Sequence, residues 1–216
     1  MKYKVLIFDF DGTLADTKES IVETMKLVAT KFDVKNLNET QIESLIGLPL
    51  KTTFQEVFLL NEKLIGKATL EYRRHYNEVA IETISLFEGV ADKLLAFHQQ
   101  GIKLAVASSK GKEALIKILK KQNVYDLFSF VGGEEDAENK KPAPDIVNHI
   151  MDKFNCHPNE CLVIGDTVFD IEMGHRAFVE TCGVTYGNNT RAQLERLNPN
   201  FLINHFGQLS EIVLKK

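Results

Sequence analysis

No apolar run in this 216-residue chain approaches the roughly 20 residues that a membrane-spanning helix requires. The N-terminus also lacks a basic segment followed by a long apolar stretch and a cleavage site, so the chain is expected to stay in the cytoplasm. Cysteine is scarce. Cys156, Cys161 and Cys182 are odd in number and form no C-x-x-C pair, which gives little basis for a disulfide framework or a zinc cluster and fits a reducing compartment. Basic charge is not in excess: the net charge is -4 and the pI about 5.9, so no broad surface for nucleic acid is expected. Internal repeats and low-complexity segments are absent. What is present is a 44% hydrophobic composition over a length that suits one large domain or a core carrying an insert.

The most informative stretch is Lys4-Val-Leu-Ile-Phe-Asp9-Phe-Asp11-Gly12-Thr13-Leu14. Residues 5–8 are continuously apolar and rich in β formers, as a parallel strand covered on both faces requires. Asp9 and Asp11 fall where that strand would end, the place where open α/β sheets bind ligands. Strand alternation would send both carboxylates to one side and Phe10 into packing, with Gly12 turning the chain away. An exposed Asp-x-Asp-Gly turn is the plainer alternative.

Three later segments bear on that choice. Ile102–Ala107 is an apolar run followed by Ser108, Ser109 and Lys110; Lys141-Pro142-Ala143-Pro144-Asp145 follows; and Cys161–Ile164 leads into Gly165-Asp166-Thr167-Val168-Phe169-Asp170. Taken in order with Asp9-x-Asp11-Gly12-Thr13, these resemble motifs II, III, IV and I of the haloacid dehalogenase-like superfamily, over the chain from residue 4 to about 190. Each match alone is weak; four in the right order are specific.

The pattern between the motifs divides the chain. Residues 17 to about 81 read as helical without an intervening strand, with Ile21, Met25, Val28 and Phe32 at spacings of three and four. Helices are expected at 17–33, 39–46, 50–60 and 63–80, with Asn38 or Thr40 as caps and Gly47-Leu48-Pro49 as a break. Beyond Phe87-Glu88-Gly89, helices near 89–100, 111–122 and 143–154 alternate with strands at 102–107, 128–131, 161–165 and 181–186. An edge strand at 201–203 and a closing helix from 208 to 214 follow. The expected fold is therefore α/β, a doubly wound, mostly parallel sheet with a Rossmann-like core and an inserted helical-bundle cap. The core takes residues 1–15 and 82–216 and the cap 16–81, hinged near Asp16-Thr17 and 84–87, as the resemblance also implies.

The resemblance implies a phosphatase in which Asp9 is the nucleophile, forming an aspartyl-phosphate, and Asp11 the general acid and then base. Hard oxygen donors favour Mg²⁺, with Asp9, the main-chain carbonyl of Asp11, Asp166 and Asp170 as its candidate ligands. Asp166 could instead be only a helix N-cap. Ser108 and Lys141 are expected on the phosphoryl oxygens, with Gly12, Thr13 and Ser109 as further candidate substrate contacts; Lys140 rivals Lys141 on charge alone. The expected partner is a small phosphorylated metabolite, met by a monomer or homodimer. In the cap, Leu48, Arg73, Arg74 and His75 are candidate substrate-facing residues, although a plain helix break explains Leu48 at least as well and a solvated helix face is the better account of Arg73, Arg74 and His75.

Within the superfamily the chain most resembles the phosphoglycolate phosphatase branch, with departures at Glu88, where relatives often have Pro, and Ser109, where they commonly have Asn. A pyrophosphatase or nucleotide phosphatase has the same build. A β-phosphoglucomutase-like transfer is disfavoured by Ser20-Ile21-Val22, which lacks a cap histidine, and by Gly165 in place of an acid. Dehalogenation and phosphonate hydrolysis are disfavoured by the presence of Asp11. A non-catalytic metabolite-binding protein is the alternative from another class, and the complete set of motif acids and lysine speaks against it.

Overall fold

Apolar continuity puts β1 (Val5–Phe8) at the centre of the sheet, where all four residues are buried. In the computed structural model β1 pairs in parallel with β4 (Lys103–Ala107) on one side and with β6 (Cys161–Gly165) on the other. Beyond them lie β5 (Phe128–Gly132) on the first side, and β7 (Glu180–Val184) and β8 (Phe201–Ile203) on the second, giving the order β5-β4-β1-β6-β7-β8, all parallel. Alternation sorts the side chains into two cores. Leu6, Phe8, Leu104 and Val106 pack on one face, and Val5, Ile7, Ala105 and Val163 on the other. After β5 the chain crosses back past β1 to β6, so the strand order reverses at β1, and the crevice at its carboxyl end is the ligand position of such sheets.

The structure describes residues 2–35, 37–78 and 80–214. Position 79, within the helix expected at 63–80, and positions 1, 215 and 216 of the expected core lie outside the described residues.

A short antiparallel pair, β2 (Ala15–Asp16) with β3 (Ser85–Leu86), brackets the helical insert. Between them run α1 (Lys18–Lys31), α2 (Glu39–Ser44), α3 (Leu50–Glu56) and α4 (Glu62–Glu78). α1 buries Ile21, Val22, Met25 and Val28, and α4 buries Ile65, Ala68, Tyr72 and Tyr76; both stripes follow the helical period. Asn38 caps α2 by accepting the Gln41 N–H. α3 stops well short of residue 60 because Leu59 takes a left-handed φ of 54° and the Leu60 N–H turns back to the Phe54 carbonyl. Core helices α5 (Val90–Gln99), α6 (Lys112–Lys121), α7 (Asp145–Phe154) and α8 (Val168–Arg176) flank the sheet, followed by short α9 (Arg191–Glu195) and α10 (Leu209–Val213). Among the described residues no helix is long and apolar enough to cross a membrane.

Candidate active site

β1 ends at Phe8, but the Asp9 N–H still reaches the Ile164 carbonyl at 2.8 Å, which carries the backbone ladder one residue further. The chain then folds over the Phe10 carbonyl, which accepts from the N–H groups of Thr13, Leu14 and Ala15. Phe10 is fully buried beneath this loop, as alternation predicts. Gly12 has φ 86°, and a Cβ there would overlap Asp166 Oδ2 and Asn188 Nδ2. Glycine is required at this point by conformation and by space alike.

Four charged side chains converge above this loop, all nearly inaccessible to solvent: Asp9, Lys141, Asp166 and Asp170. Lys141 Nζ lies 2.6 Å from Asp9 Oδ1 and 2.6 Å from Asp170 Oδ1. Burial works to lower the Lys141 pKa, but the two carboxylates outweigh it and hold the ammonium above the ordinary lysine range. Asp9 is pushed well above the ordinary carboxylate range by burial, with Lys141 opposing and Asp170, Asp166 and Asp11 adding to the shift. Burial, aided by the Asp170 charge, likewise pushes Asp166 up to about 7.

Neither Asp166 nor Asp170 is an idle cap. The alternative that Asp166 caps the helix fails, because Thr167 stands at the N-cap of α8 and Asp170 holds it, accepting from the Thr167 N–H at 3.0 Å and its hydroxyl at 2.7 Å. Asp166 lies outside the helix, immediately before its Thr167 cap. Asp166 is oriented by the Thr13 hydroxyl at 2.9 Å, by the Asn188 N–H at 2.6 Å and by Asn188 Nδ2 at 2.9 Å. The same amide approaches the Asp11 carbonyl at 3.4 Å, and the Tyr186 hydroxyl donates to the Thr13 carbonyl at 2.9 Å. Asn188 and Tyr186 had no place in the sequence argument. Their only signal was the turn chemistry of Tyr186-Gly187-Asn188-Asn189 after a strand.

Carboxylate oxygens of Asp9, Asp166 and Asp170 lie within 4.8 Å of one another, and Asp9 Oδ2 is buried with no hydrogen-bond partner. An orphaned carboxylate oxygen beside two further buried acids, with Asp9 and Asp166 held above their ordinary pKa values, is a site that lacks cationic charge. The donors are all hard oxygens, and the set fits a small divalent cation such as Mg²⁺.

Asp11 and Ser108 line a cavity of about 130 Å³ between the sheet and the helical insert. Asp11 Oδ1 lies 3.1 Å from the Lys110 ammonium but has no well-directed hydrogen bond, and the same ammonium sits 4.0 Å over the Tyr76 ring of α4. Ser108 follows β4, its N–H bonded to the Gly132 carbonyl of β5 at 3.1 Å, and its hydroxyl accepts the Lys110 N–H. Two expected substrate contacts are otherwise engaged: the Ser109 hydroxyl donates to the Gly47 carbonyl of the insert at 2.7 Å, and the Thr13 hydroxyl is the one that orients Asp166. Lys140, the rival to Lys141, points to the carbonyls of Glu134 and Ala137 instead.

Of the other candidates in the insert, Leu48 and Arg73 line the cavity. Arg74 and His75 pair with Glu71 on the outer face of α4, where the solvated reading holds.

Comparison with known proteins agrees with this geometry. Residues 6–184 match the family described as haloacid dehalogenase-like hydrolase. The pyrophosphatase PpaX of Halalkalibacterium halodurans is 28% identical over 214 residues, covering 99% of this chain and 98% of that protein. The crystal structure of a predicted phosphatase from Clostridium acetobutylicum superposes with a TM-score of 0.89 at 26% identity, over 99% of each chain. That of a predicted phosphoglycolate phosphatase from Haemophilus somnus gives a TM-score of 0.91 at 23% identity, also over 99% of each chain, a likeness of fold.

Proposed function

The chain belongs to the haloacid dehalogenase-like hydrolase family, and from that premise we propose that it is a Mg²⁺-dependent phosphatase of small soluble phosphate monoesters, working in the cytoplasm through an aspartyl-phosphate. The observation that carries this reading is the buried group of Asp9, Asp166 and Asp170 at the carboxyl end of the central strands, with Lys141 bridging Asp9 and Asp170, next to a cavity lined by Asp11.

In this reading Asp9 attacks phosphorus in line with the ester oxygen, and the bond from phosphorus to that oxygen breaks as the aspartyl-phosphate forms. Asp11, at the mouth of the cavity, protonates the departing alcohol and then takes a proton from the water that hydrolyses the aspartyl-phosphate. Ser108 and Lys141 hold the phosphoryl oxygens; Lys141 already offsets two carboxylates, which keeps Asp9 from repelling the incoming anion. Asp9, Asp166, Asp170 and the Asp11 carbonyl would hold Mg²⁺, which when bound supplies positive charge against the phosphoryl oxygens. Thr13 and Asn188 fix Asp166, and Gly12 allows the loop to close against it. The insert between β2 and β3, residues 16–81 of the proposed division, acts as a cap that excludes water, with the Ser109 to Gly47 bond as one contact across its seam.

Pyrophosphate cleavage is the second reading, favoured by the PpaX relatives. Hydrolysis of a generic aryl phosphate with Mg²⁺ tests the activity. Turnover should vanish in excess chelator, return with Mg²⁺, and be lost in Asp9→Asn, whose amide is nearly isosteric but a poor nucleophile. Near-wild-type turnover of that variant would remove Asp9 from the mechanism.

A further inference from the structure

Resting on the phosphatase reading, we propose that the group released is an uncharged alcohol with an apolar body about the size of one six-membered ring and a hydrogen-bonding group at its far end. A second anion, whether a carboxylate or another phosphate, does not fit the cavity. Size is the first consideration. The cavity adjoining Asp11 measures about 130 Å³, and a void of roughly 150 Å³ with apolar walls accommodates one benzene ring. The walls contributed by the insert are mostly aliphatic, from Ile21, Met25, Ile42 and Leu48 among others, joined by Tyr72 and Tyr76, whose rings stack at 5.5 Å between centroids.

Charge decides against a second anion. Arg73 and Lys110 are the cations on the wall, set against the carboxylates of Asp11, Glu113 and Glu135. Both cations are engaged: Arg73 lies 2.7 Å from Glu134 and 3.8 Å from Glu135, and Lys110 lies 3.1 Å from Asp11 with its ammonium over Tyr76. An anionic leaving group would shed its hydration against apolar walls and would have to displace Glu134 from Arg73 or Asp11 from Lys110 to pair fully with either cation.

Of the polar groups left over, those of Tyr76 and Asn77 are neutral, and Arg73 adds a single N–H donor. Arg73 Nε, the Tyr76 hydroxyl and Asn77 Oδ1 are buried without hydrogen-bond partners, and all three residues line this cavity from one stretch of α4. Buried polar atoms left unpaired are costly, so a ligand that offers them a donor and an acceptor gains affinity. A hydroxyl on an otherwise apolar body provides both.

The test compares phosphates of primary alcohols whose leaving oxygens are similarly basic. kcat/KM is measured with Mg²⁺ for benzyl phosphate, 4-hydroxybenzyl phosphate and 2-phosphoglycolate, with pyrophosphate as the dianionic leaving group and an activated aryl phosphate as the control for chemistry. The expected order places 4-hydroxybenzyl phosphate first and benzyl phosphate next. Both should exceed phosphoglycolate and pyrophosphate by roughly a hundredfold, the range set by filling a hydrophobic pocket. Asn77→Leu should lower the 4-hydroxybenzyl rate about fivefold more than the benzyl rate. Leu48→Lys, which adds an unpaired cation to the wall, should narrow the gap to phosphoglycolate. Faster turnover of phosphoglycolate or pyrophosphate by the wild-type enzyme overturns this inference and leaves the phosphatase reading intact. Failure to hydrolyse any of the five, the aryl phosphate included, overturns both.

Discussion

Replacing Lys141 with methionine removes one charge from the centre of the site while keeping most of the side-chain stem. Two carboxylates, Asp9 and Asp170, would each lose a partner at 2.6 Å in a place with almost no solvent access. Breaking such a buried pair costs about 3–5 kcal/mol. The lower figure applies, because Asp9 is already pushed above its ordinary range and relieves the imbalance by taking up a proton. With a urea dependence of about 2–3 kcal/mol per molar, the unfolding midpoint should fall by about 1 M or somewhat more. The effect should depend on pH in a definite sense. An acid whose folded-state pKa is raised favours folding when protonated, and its contribution is lost as pH rises from the unfolded value through the folded one. Lys141 opposes that rise in the wild type, so the loss in Lys141→Met should be larger at pH 8 than at pH 5 when both proteins are unfolded in metal-free buffer. In the presence of Mg²⁺ the same variant should lose on the order of a hundredfold in kcat. Lys140→Met, which removes contacts only to main-chain carbonyls, should cost about 1 kcal/mol and affect the rate far less. A stability loss that is small and independent of pH would refute the buried charge pairing. A reversed ranking of the two lysines would hand the phosphoryl contact to Lys140.

Gly12→Ala places a Cβ against Asp166 and Asn188 at a φ of 86°; it should cost more than about 1 kcal/mol and weaken the protein's stabilisation by Mg²⁺ in thermal unfolding, and an undiminished Mg²⁺ response would show that the loop does not shape the metal site. Asp11→Asn should slow alkyl phosphates more than activated aryl phosphates, whose leaving oxygen needs a proton less; equal losses on both would exclude it as the general acid. Because Asp166 is pushed up to about 7 and must ionise to hold a cation, Mg²⁺ affinity measured by calorimetry should be about thirtyfold weaker at pH 5.5 than at pH 8; a flat profile would contradict protonation of the apo site.

Asp9, Asp11, Ser108, Asp166 and Asp170 were readable in the sequence because each follows a continuous apolar run, and such runs become the central strands whose carboxyl ends meet at one crevice. Lys141 follows no such strand and was identified by its Lys-Pro-x-Pro setting alone. Asn188 and Tyr186 were not readable, since nothing local to their turn shows that the loop after β7 folds back onto Gly12 across the sheet. The hydroxyls of Thr13 and Ser109 were legible as polar groups near the motifs, but their partners, Asp166 and the Gly47 carbonyl, lie far away in sequence. Helix α3 ended early for a similar reason. The apolar period continues through Val57 and Phe58, and a left-handed turn at the exposed Leu59 stops it while Phe58 and Leu60 on either side pack against the core.

The central claim is that Asp9 becomes covalently phosphorylated during turnover. Acid-quenched enzyme, taken during hydrolysis of an aryl phosphate with Mg²⁺ and digested for mass spectrometry, tests this directly, with Asp11→Asn used alongside the wild type to slow breakdown of the adduct. The account predicts one added phosphoryl group on the peptide carrying Asp9, sensitive to hydroxylamine, more abundant in Asp11→Asn and absent in Asp9→Asn. Sustained turnover with the phosphoryl group found on another residue, or adduct formation undiminished in Asp9→Asn, would contradict it.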